Sequence, residues 1–444
     1  MGEETRLLCL CSGCEPLAAE SRYLGVQFAS VGPWKLRIVA LDCQGPLRLL
    51  GETPETATPL GSIPLLIDEA APRHQGADAN DRSLTVFFIH GGGGRAGQFR
   101  HVIHFLSQRG IRCIAPDLPG HGLSRTASGA ARRDPQGAPV CPVEDTQSII
   151  KAVFDALAGT RKDEKKASST PHCGSPPRRA VLVGHSFGCL QVLRLYSQLS
   201  AENRETEVSG ICLIGGDVAR GPPGLAAWLF LYLPRLVLQL IRSLVGQVSQ
   251  RLLYSGETRQ KNRRLMDDEQ QITSMNLLET VLEILAHLKG GEAHKEFQRG
   301  THKQREPREE SAAAGSADAF RDKSHRPPVL LLYGEGDSVT PPAASAAALA
   351  AALGAGPLPA SLPSPQYLRL PYTACGAEIR GSSCSNRNLS ECLGGGPHVP
   401  PEEWARQGAV TAAVVGKAGH NVMLEQPLET NKVIWEFIKR QLQT

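Results

Sequence analysis

The sequence predicts an α/β fold: a mostly parallel sheet flanked by helices, with a helical cap and long low-complexity inserts. Three observations carry that prediction. From Ser83 onward, strand-like apolar runs alternate with segments of helical period. One such run, Ala180 to Val183, enters a Gly-x-Ser-x-Gly turn and continues as a helix with Leu190, Val192, Leu193, Leu195 and Leu199 on its apolar positions. Two later apolar runs end beside an aspartate and a histidine. Alternation of this kind covers both faces of a parallel sheet with helices.

Taken in order, Tyr23 to Ala29 and Trp34 to Asp42 flank Val31-Gly32-Pro33 and read as an antiparallel hairpin at a sheet edge. Gly51 to Asp81, rich in Pro, Thr, Gly and charge, reads as a long connection. Strands are expected at Leu84 to His90, Ile111 to Asp117, Val181 to Val183, Val208 to Ile214, Pro328 to Tyr333 and Val410 to Val415. Helices are expected at Phe99 to Gln108, which Gly110 ends, at Ile149 to Leu157, and near the C-terminus, where Val433, Ile434, Phe437 and Ile438 share a face. Arg125 to Cys141, Gly159 to Arg179, Glu292 to Arg326 and Gly354 to Gln407 lack the apolar period that builds a core, so they read as excursions.

The expected organisation is an N-terminal hairpin and connection over 1–82 and a first core part over 83–218. A helical cap over 219–290 and a charged insert over 291–326 follow, then core over 327–353, a Pro/Gly/Ser-rich insert over 354–407 and core over 408–444. The cap segment carries Leu225, Trp228, Phe230, Leu233 and Leu236 to Ile241, then Leu277, Leu278, Val281, Leu282 and Leu285. It suits a lid over the site; an ordinary helical subdomain with its own core is the competing reading.

Composition narrows the function classes. A net charge of +4 without a dominant basic block argues against a nucleic-acid partner. The 12 cysteines are scattered, several inside apolar runs, and no signal peptide is evident, so reduced thiols in an intracellular, cytoplasmic protein are expected. Cys375, Cys384 and Cys392 lack paired CxxC spacing, which argues against a metal site. No apolar run reaches the roughly 20 residues of a membrane span; Leu225 to Ile241 is broken by Pro234, Arg235 and Gln239. Peripheral membrane contact remains open through the cap or through Cys9, Cys11 and Cys14, where S-acylation competes with a frayed first strand. Gly2 is a poor myristoylation site because Arg6 stands where Ser or Thr is usual.

The Gly-x-Ser-x-Gly pentapeptide alone is weak, since a chain this long should hold roughly 0.3 such matches by chance. Its setting gives it weight. Between strand and helix, Ser186 would sit on a sharp elbow that Gly184 and Gly188 permit, with the Phe187 N–H beside it at a helix N-terminus. Strand Leu84 to His90 runs into Gly91-Gly92-Gly93-Gly94, whose backbone can approach a ligand; Gly92 N–H is the expected second oxyanion donor, with Gly93 as a substitute. That tract fits neither the GxGxxG nor the GxxxxGK[ST] spacing of nucleotide loops. A serine hydroxyl needs a base, and the base a carboxylate. His420 in Gly419-His420-Asn421 and Asp337 in Gly334-Glu335-Gly336-Asp337 take those places, with Asp217 as an alternative acid. Asp117, His121 and His185 read as turn or packing residues.

The stretches Phe87-Phe88-Ile89-His90-Gly91, Ala115-Pro116-Asp117-Leu118-Pro119-Gly120-His121-Gly122, Gly184-His185-Ser186-Phe187-Gly188, Gly334-Glu335-Gly336-Asp337 and Gly419-His420 together resemble the α/β-hydrolase superfamily, most closely its abhydrolase-domain serine hydrolases. The turn around His121 is also similar to that of epoxide hydrolases and dehalogenases, which use a carboxylate nucleophile where this chain has Ser186. The resemblance implies a Ser186, Asp337, His420 triad and no metal or organic cofactor. It implies an esterase, lipase or thioesterase; the substrate class, a lipid ester or an acylated protein, follows only from the apolar cap, with Trp228, Phe230 and Leu233 as candidate lining. An acyltransferase on the same triad and a non-catalytic, lipid-bound scaffold are the alternatives.

Overall fold

The computed structural model describes residues 27–31, 34–42, 45–46, 58–59, 84–126, 143–158, 179–217, 237–238, 242–273, 276, 280–282, 284, 326–355 and 410–443. The expected hairpin forms: strand β1 (Gln27–Val31) pairs antiparallel with β2 (Trp34–Asp42). The long connection and the four inserts lie almost wholly outside the described residues. Short strands β3 (Gly45–Pro46) and β7 (Arg125–Thr126) pair with β2, and β4 (Thr58–Pro59) pairs with β1.

The main strands are β5 (Leu84–Ile89), β6 (Arg112–Pro116), β8 (Arg179–His185), β9 (Val208–Ile214), β10 (Val329–Gly334) and β11 (Val410–Val415). Among the described residues they belong to one eleven-stranded sheet whose order is β11-β10-β9-β8-β5-β6-β2-β1-β4. Every neighbouring pair from β6 to β11 is parallel, and β2 joins β6 antiparallel. Chain order reverses where β6 and β8 flank β5, which is where open α/β sheets place their sites.

Strand alternation splits the core in two. Phe87, Ile89, Ala180 and Leu182 face one helical layer, and Val86, Phe88, Val181 and Val183 face the other. The first layer holds α2 (Val143–Leu157), α3 (Phe187–Ala201) and α7 (Pro342–Ala352), where Phe154 meets Phe87 edge to face with centroids 5.5 Å apart. The second holds α1 (Arg100–Ser107) and α8 (Pro427–Gln443), with Val433, Ile434, Phe437 and Ile438 buried as their spacing predicts. Full burial on both faces explains why these strands are continuous apolar runs rather than alternating ones.

Between β9 and β10 the chain forms α4 (Arg242–Leu253), α5 (Gly256–Lys261) and α6 (Arg263–Thr273). They fall in the segment expected to be helical. No described helix is long and apolar enough to cross a membrane. Of the cysteines, Cys113, Cys189 and Cys212 are described; all three are buried and free, and burial pushes their thiols well above the ordinary value.

Candidate active site

Strand β8 and helix α3 meet at Ser186, whose φ of 51° and ψ of −119° lie in a region that L-residues rarely adopt. The neighbours make this turn possible. A Cβ on Gly188 would stand 2.1 Å from the Ile89 carbonyl oxygen, and one on Gly184 would stand 2.7 Å from that of Gly188. The Ser186 N–H donates to the Ile214 carbonyl at 2.8 Å, tying the elbow to the end of β9. The half-buried serine thus tops the sheet, beside the Phe187 N–H at the start of α3.

At the ends of β10 and β11 the two other expected residues meet. His420 Nδ1 and Asp337 Oδ2 are 2.8 Å apart, both side chains buried. The Val339 and Thr340 N–H groups donate to Asp337 Oδ1 at 2.9 and 2.8 Å, and the Thr340 hydroxyl donates to Oδ2 at 2.6 Å. Burial pushes this carboxyl up, but the hydrogen bonds from His420 and Thr340 outweigh it and hold the group below its ordinary value. An ionised Asp337 is acceptor-only, so the Nδ1 it faces carries the proton and Nε2 is left as the basic nitrogen. The alternative acid, Asp217, instead accepts from the Ser345 hydroxyl at 3.2 Å.

The junction of α4 and α5 holds the histidine loop. The Leu253 carbonyl accepts the N–H groups of His420 and Asn421 at 2.9 and 3.2 Å. Glu425 spans the same junction, accepting from Gly419 N–H and Ser255 N–H at 2.8 Å each.

His185 packs its ring 4.8 Å from that of His420, with Nε2 3.1 Å from the His420 carbonyl. Burial, and then the neighbouring His420, lower its pKa to about 3. It is therefore neutral in the fold but titrates at its ordinary value of 6.5 once unfolded. The stabilisation is complete above that value and falls as pH drops toward 3, because only the unfolded chain gains the proton. Between pH 6.5 and 5 it should cost about 1.5 kcal/mol, read as a falling urea midpoint that is flatter in His185→Gln. Buried His90, also lowered, acts with the same sign.

The glycine loop after β5 is fixed by a second pair of histidines. The Gly91 carbonyl accepts from His90 Nδ1 at 2.8 Å and from Gly94 N–H at 3.0 Å. In a trans peptide the Gly92 N–H points the opposite way, and it finds no acceptor among the described residues. Gly93 N–H, the expected substitute, is instead committed to His121 Nε2 at 3.0 Å, so this part of the expectation is corrected. His121 Nδ1 in turn donates to the Pro119 carbonyl at 2.9 Å. Asn276 closes the arrangement, donating to the Gly93 carbonyl and accepting from Gly122 N–H at 2.8 Å. Asp117 braces the adjoining turn through Ala96 N–H and Leu123 N–H, at 2.8 and 2.9 Å.

A buried ion-pair cluster fastens α6 to the same loop. Glu269 receives two hydrogen bonds from Arg95, at 2.8 and 3.0 Å, and one from Arg100 at 3.0 Å. Burial opposes ionisation of Glu269, but the two guanidinium charges overcome it and bring its pKa to about 2.

Ser186, Phe187, Gly92, Asp337 and His420 thus gather at the carboxyl ends of β5, β8, β10 and β11. Trp228, Phe230 and Leu233 lie outside the described residues. Asn276, Thr340, Glu425 and the Leu253 carbonyl were not expected from sequence; Thr340 acts on Asp337 three residues away, and the other three depend on contacts between distant segments. Among the described residues no group of three or more His, Cys, Asp or Glu could hold a metal ion.

Residues 86–433, more than half of the chain, match the model of the alpha/beta hydrolase family. Protein ABHD8 of Mus musculus is 31% identical over 114 residues, covering 26% of this chain and 19% of that protein. The Homo sapiens protein of the same name is 29% identical over the same length, with the same coverage. The chain thus matches only about a fifth of the length of these curated relatives. A solved esterase from Thermogutta terrifontis is 15% identical, covering 81% of this chain and 90% of its own, with a TM-score of 0.43. By its sequence match and its parallel sheet, the chain belongs to the alpha/beta hydrolase family.

Proposed function

We propose that this protein is a serine hydrolase that cleaves carboxylic ester or thioester bonds through an acyl-enzyme. The observation that carries the reading is the buried 2.8 Å contact between His420 Nδ1 and Asp337 Oδ2 at the sheet end that also carries Ser186. Ser186 Oγ attacks the acyl carbonyl while its proton passes to His420 Nε2, and Asp337 stabilises the imidazolium. The carbonyl oxygen becomes an oxyanion held by the Phe187 and Gly92 N–H groups, each such donor contributing about 3 kcal/mol. Collapse breaks the bond to the alcohol or thiol, which leaves with the proton from His420. Water, deprotonated by the same nitrogen, then attacks the acyl-serine and releases the acid.

The substrate class we propose is a lipid ester or a fatty-acylated protein. It rests on the apolar character of Leu225 to Ile241, close in sequence to the helices that hold the histidine and glycine loops. The test is a panel of acyl esters and thioesters of increasing chain length, with Trp228→Ser, Phe230→Ser and Leu233→Ser combined in one variant. kcat/KM for long chains should fall about tenfold or more while acetyl ester turnover stays within about twofold. Equal losses on both would contradict a lipid-lined site.

A further inference from the structure

Away from Ser186, helices α4, α5 and α6 border an open pocket of about 400 Å³. Arg251, Arg259 and Arg263 line it, with Gln250, Met266 and Asp267 among the remaining residues. The Gln250 amide donates to the Met266 carbonyl at 2.6 Å and joins α4 to α6 there. The other acidic side chains of α5 and α6 are already engaged: Glu257 with Lys261, Asp268 with Arg264, and Glu269 with Arg95 and Arg100. Asp267 alone faces three guanidinium groups. None of the three forms an ion pair among the described residues, and Arg259 Nε is buried without a hydrogen-bond partner. A buried donor of this kind is destabilising unless an acceptor meets it.

We propose that this cavity binds a phosphate ester, its anionic oxygens taking the forks of Arg251, Arg259 and Arg263. Several guanidinium forks around one space suit a tetrahedral group with three or four acceptor oxygens, and the volume leaves room for the esterified remainder. Val248 and Leu252, both exposed, lie next to Arg251 on α4 and offer an apolar margin beside the charge. That pairing fits a phospholipid headgroup; a soluble phosphate ester presents the same chemistry. The cavity reaches within two residues of Leu253, whose carbonyl holds the His420 loop.

The test uses the full chain with inorganic phosphate, with glycerol 3-phosphate, and with vesicles of phosphatidylcholine alone or containing phosphatidic acid. The variants are R259Q/R263Q and the charge-matched control K35Q/K439Q, both checked for an unchanged melting temperature. Wild type should bind glycerol 3-phosphate or the phosphatidic acid vesicles and not phosphatidylcholine alone, and R259Q/R263Q should bind at least about tenfold more weakly while the control does not. Binding to phosphatidic acid vesicles alone assigns a headgroup, and binding to glycerol 3-phosphate assigns a soluble ester. The proposal is overturned if wild type binds neither inorganic phosphate, glycerol 3-phosphate nor phosphatidic acid vesicles above phosphatidylcholine alone, or if the control weakens binding as much as R259Q/R263Q does.

Discussion

Replacing Asp337 by asparagine should lower kcat by about 10⁴-fold, or about 5.5 kcal/mol, with little change in stability. The local bonds dictate the sign. Val339 and Thr340 N–H groups both donate to Oδ1, so an asparagine would keep its carbonyl oxygen there and turn its NH₂ toward His420 Nδ1. The imidazole would then have to accept at Nδ1 and carry its proton on Nε2, the nitrogen needed to take the serine proton. Asp217→Asn should change kcat by less than about tenfold, since Asp217 accepts from the Ser345 hydroxyl while Asp337 holds the imidazole. Steady-state kinetics on one short-chain ester separates the two acids, and the opposite ranking would move the acid to Asp217.

Glu269→Gln should destabilise the fold by about 3 to 5 kcal/mol, the usual result of leaving buried guanidinium groups without their carboxylate. Arg95 and Arg100 are nearly inaccessible, and Glu269 is their common partner across the α6 junction. Because folding lowers the Glu269 pKa from 4.5 to about 2, its contribution is complete above 4.5 and is lost as pH falls through 2. The difference between wild type and Glu269→Gln should therefore shrink in strong acid. Replacing all three residues with methionine should recover much of the loss, since apolar substitutes leave no charge to desolvate. Urea unfolding of the three proteins at neutral pH measures this, and a triple variant no more stable than Glu269→Gln would contradict it.

The sheet was legible because burial on both faces demands continuous apolar runs, and Leu84 to Ile89 and Val208 to Ile214 fall within a residue of where the pattern puts them. The elbow was legible because Gly184 and Gly188 are sterically required, as their contacts with Gly188 and Ile89 carbonyl oxygens make plain. Helix Pro342–Ala352 was not, since nine of its eleven residues other than Pro342 and Ser345 are Ala or Leu and give no contrast between faces. The glycine loop was half legible. Its sequence announces a close backbone approach, but which N–H stays free depends on His90, His121 and Asn276, and no local pattern links Asn276 to Gly93. His121 reads as a turn residue because its Nδ1 does bond the turn at Pro119; its Nε2 serves the loop 28 residues earlier.

The central claim is that Ser186 is a nucleophile activated by His420. Labelling the purified chain with a fluorophosphonate probe, beside Ser186→Ala and His420→Ala, tests it most directly. Wild type should label on Ser186, Ser186→Ala not at all, and His420→Ala at least about 10³-fold more slowly. Labelling that survives in Ser186→Ala, or a folded wild type that stays unlabelled in buffer and with detergent or lipid vesicles, would contradict the account.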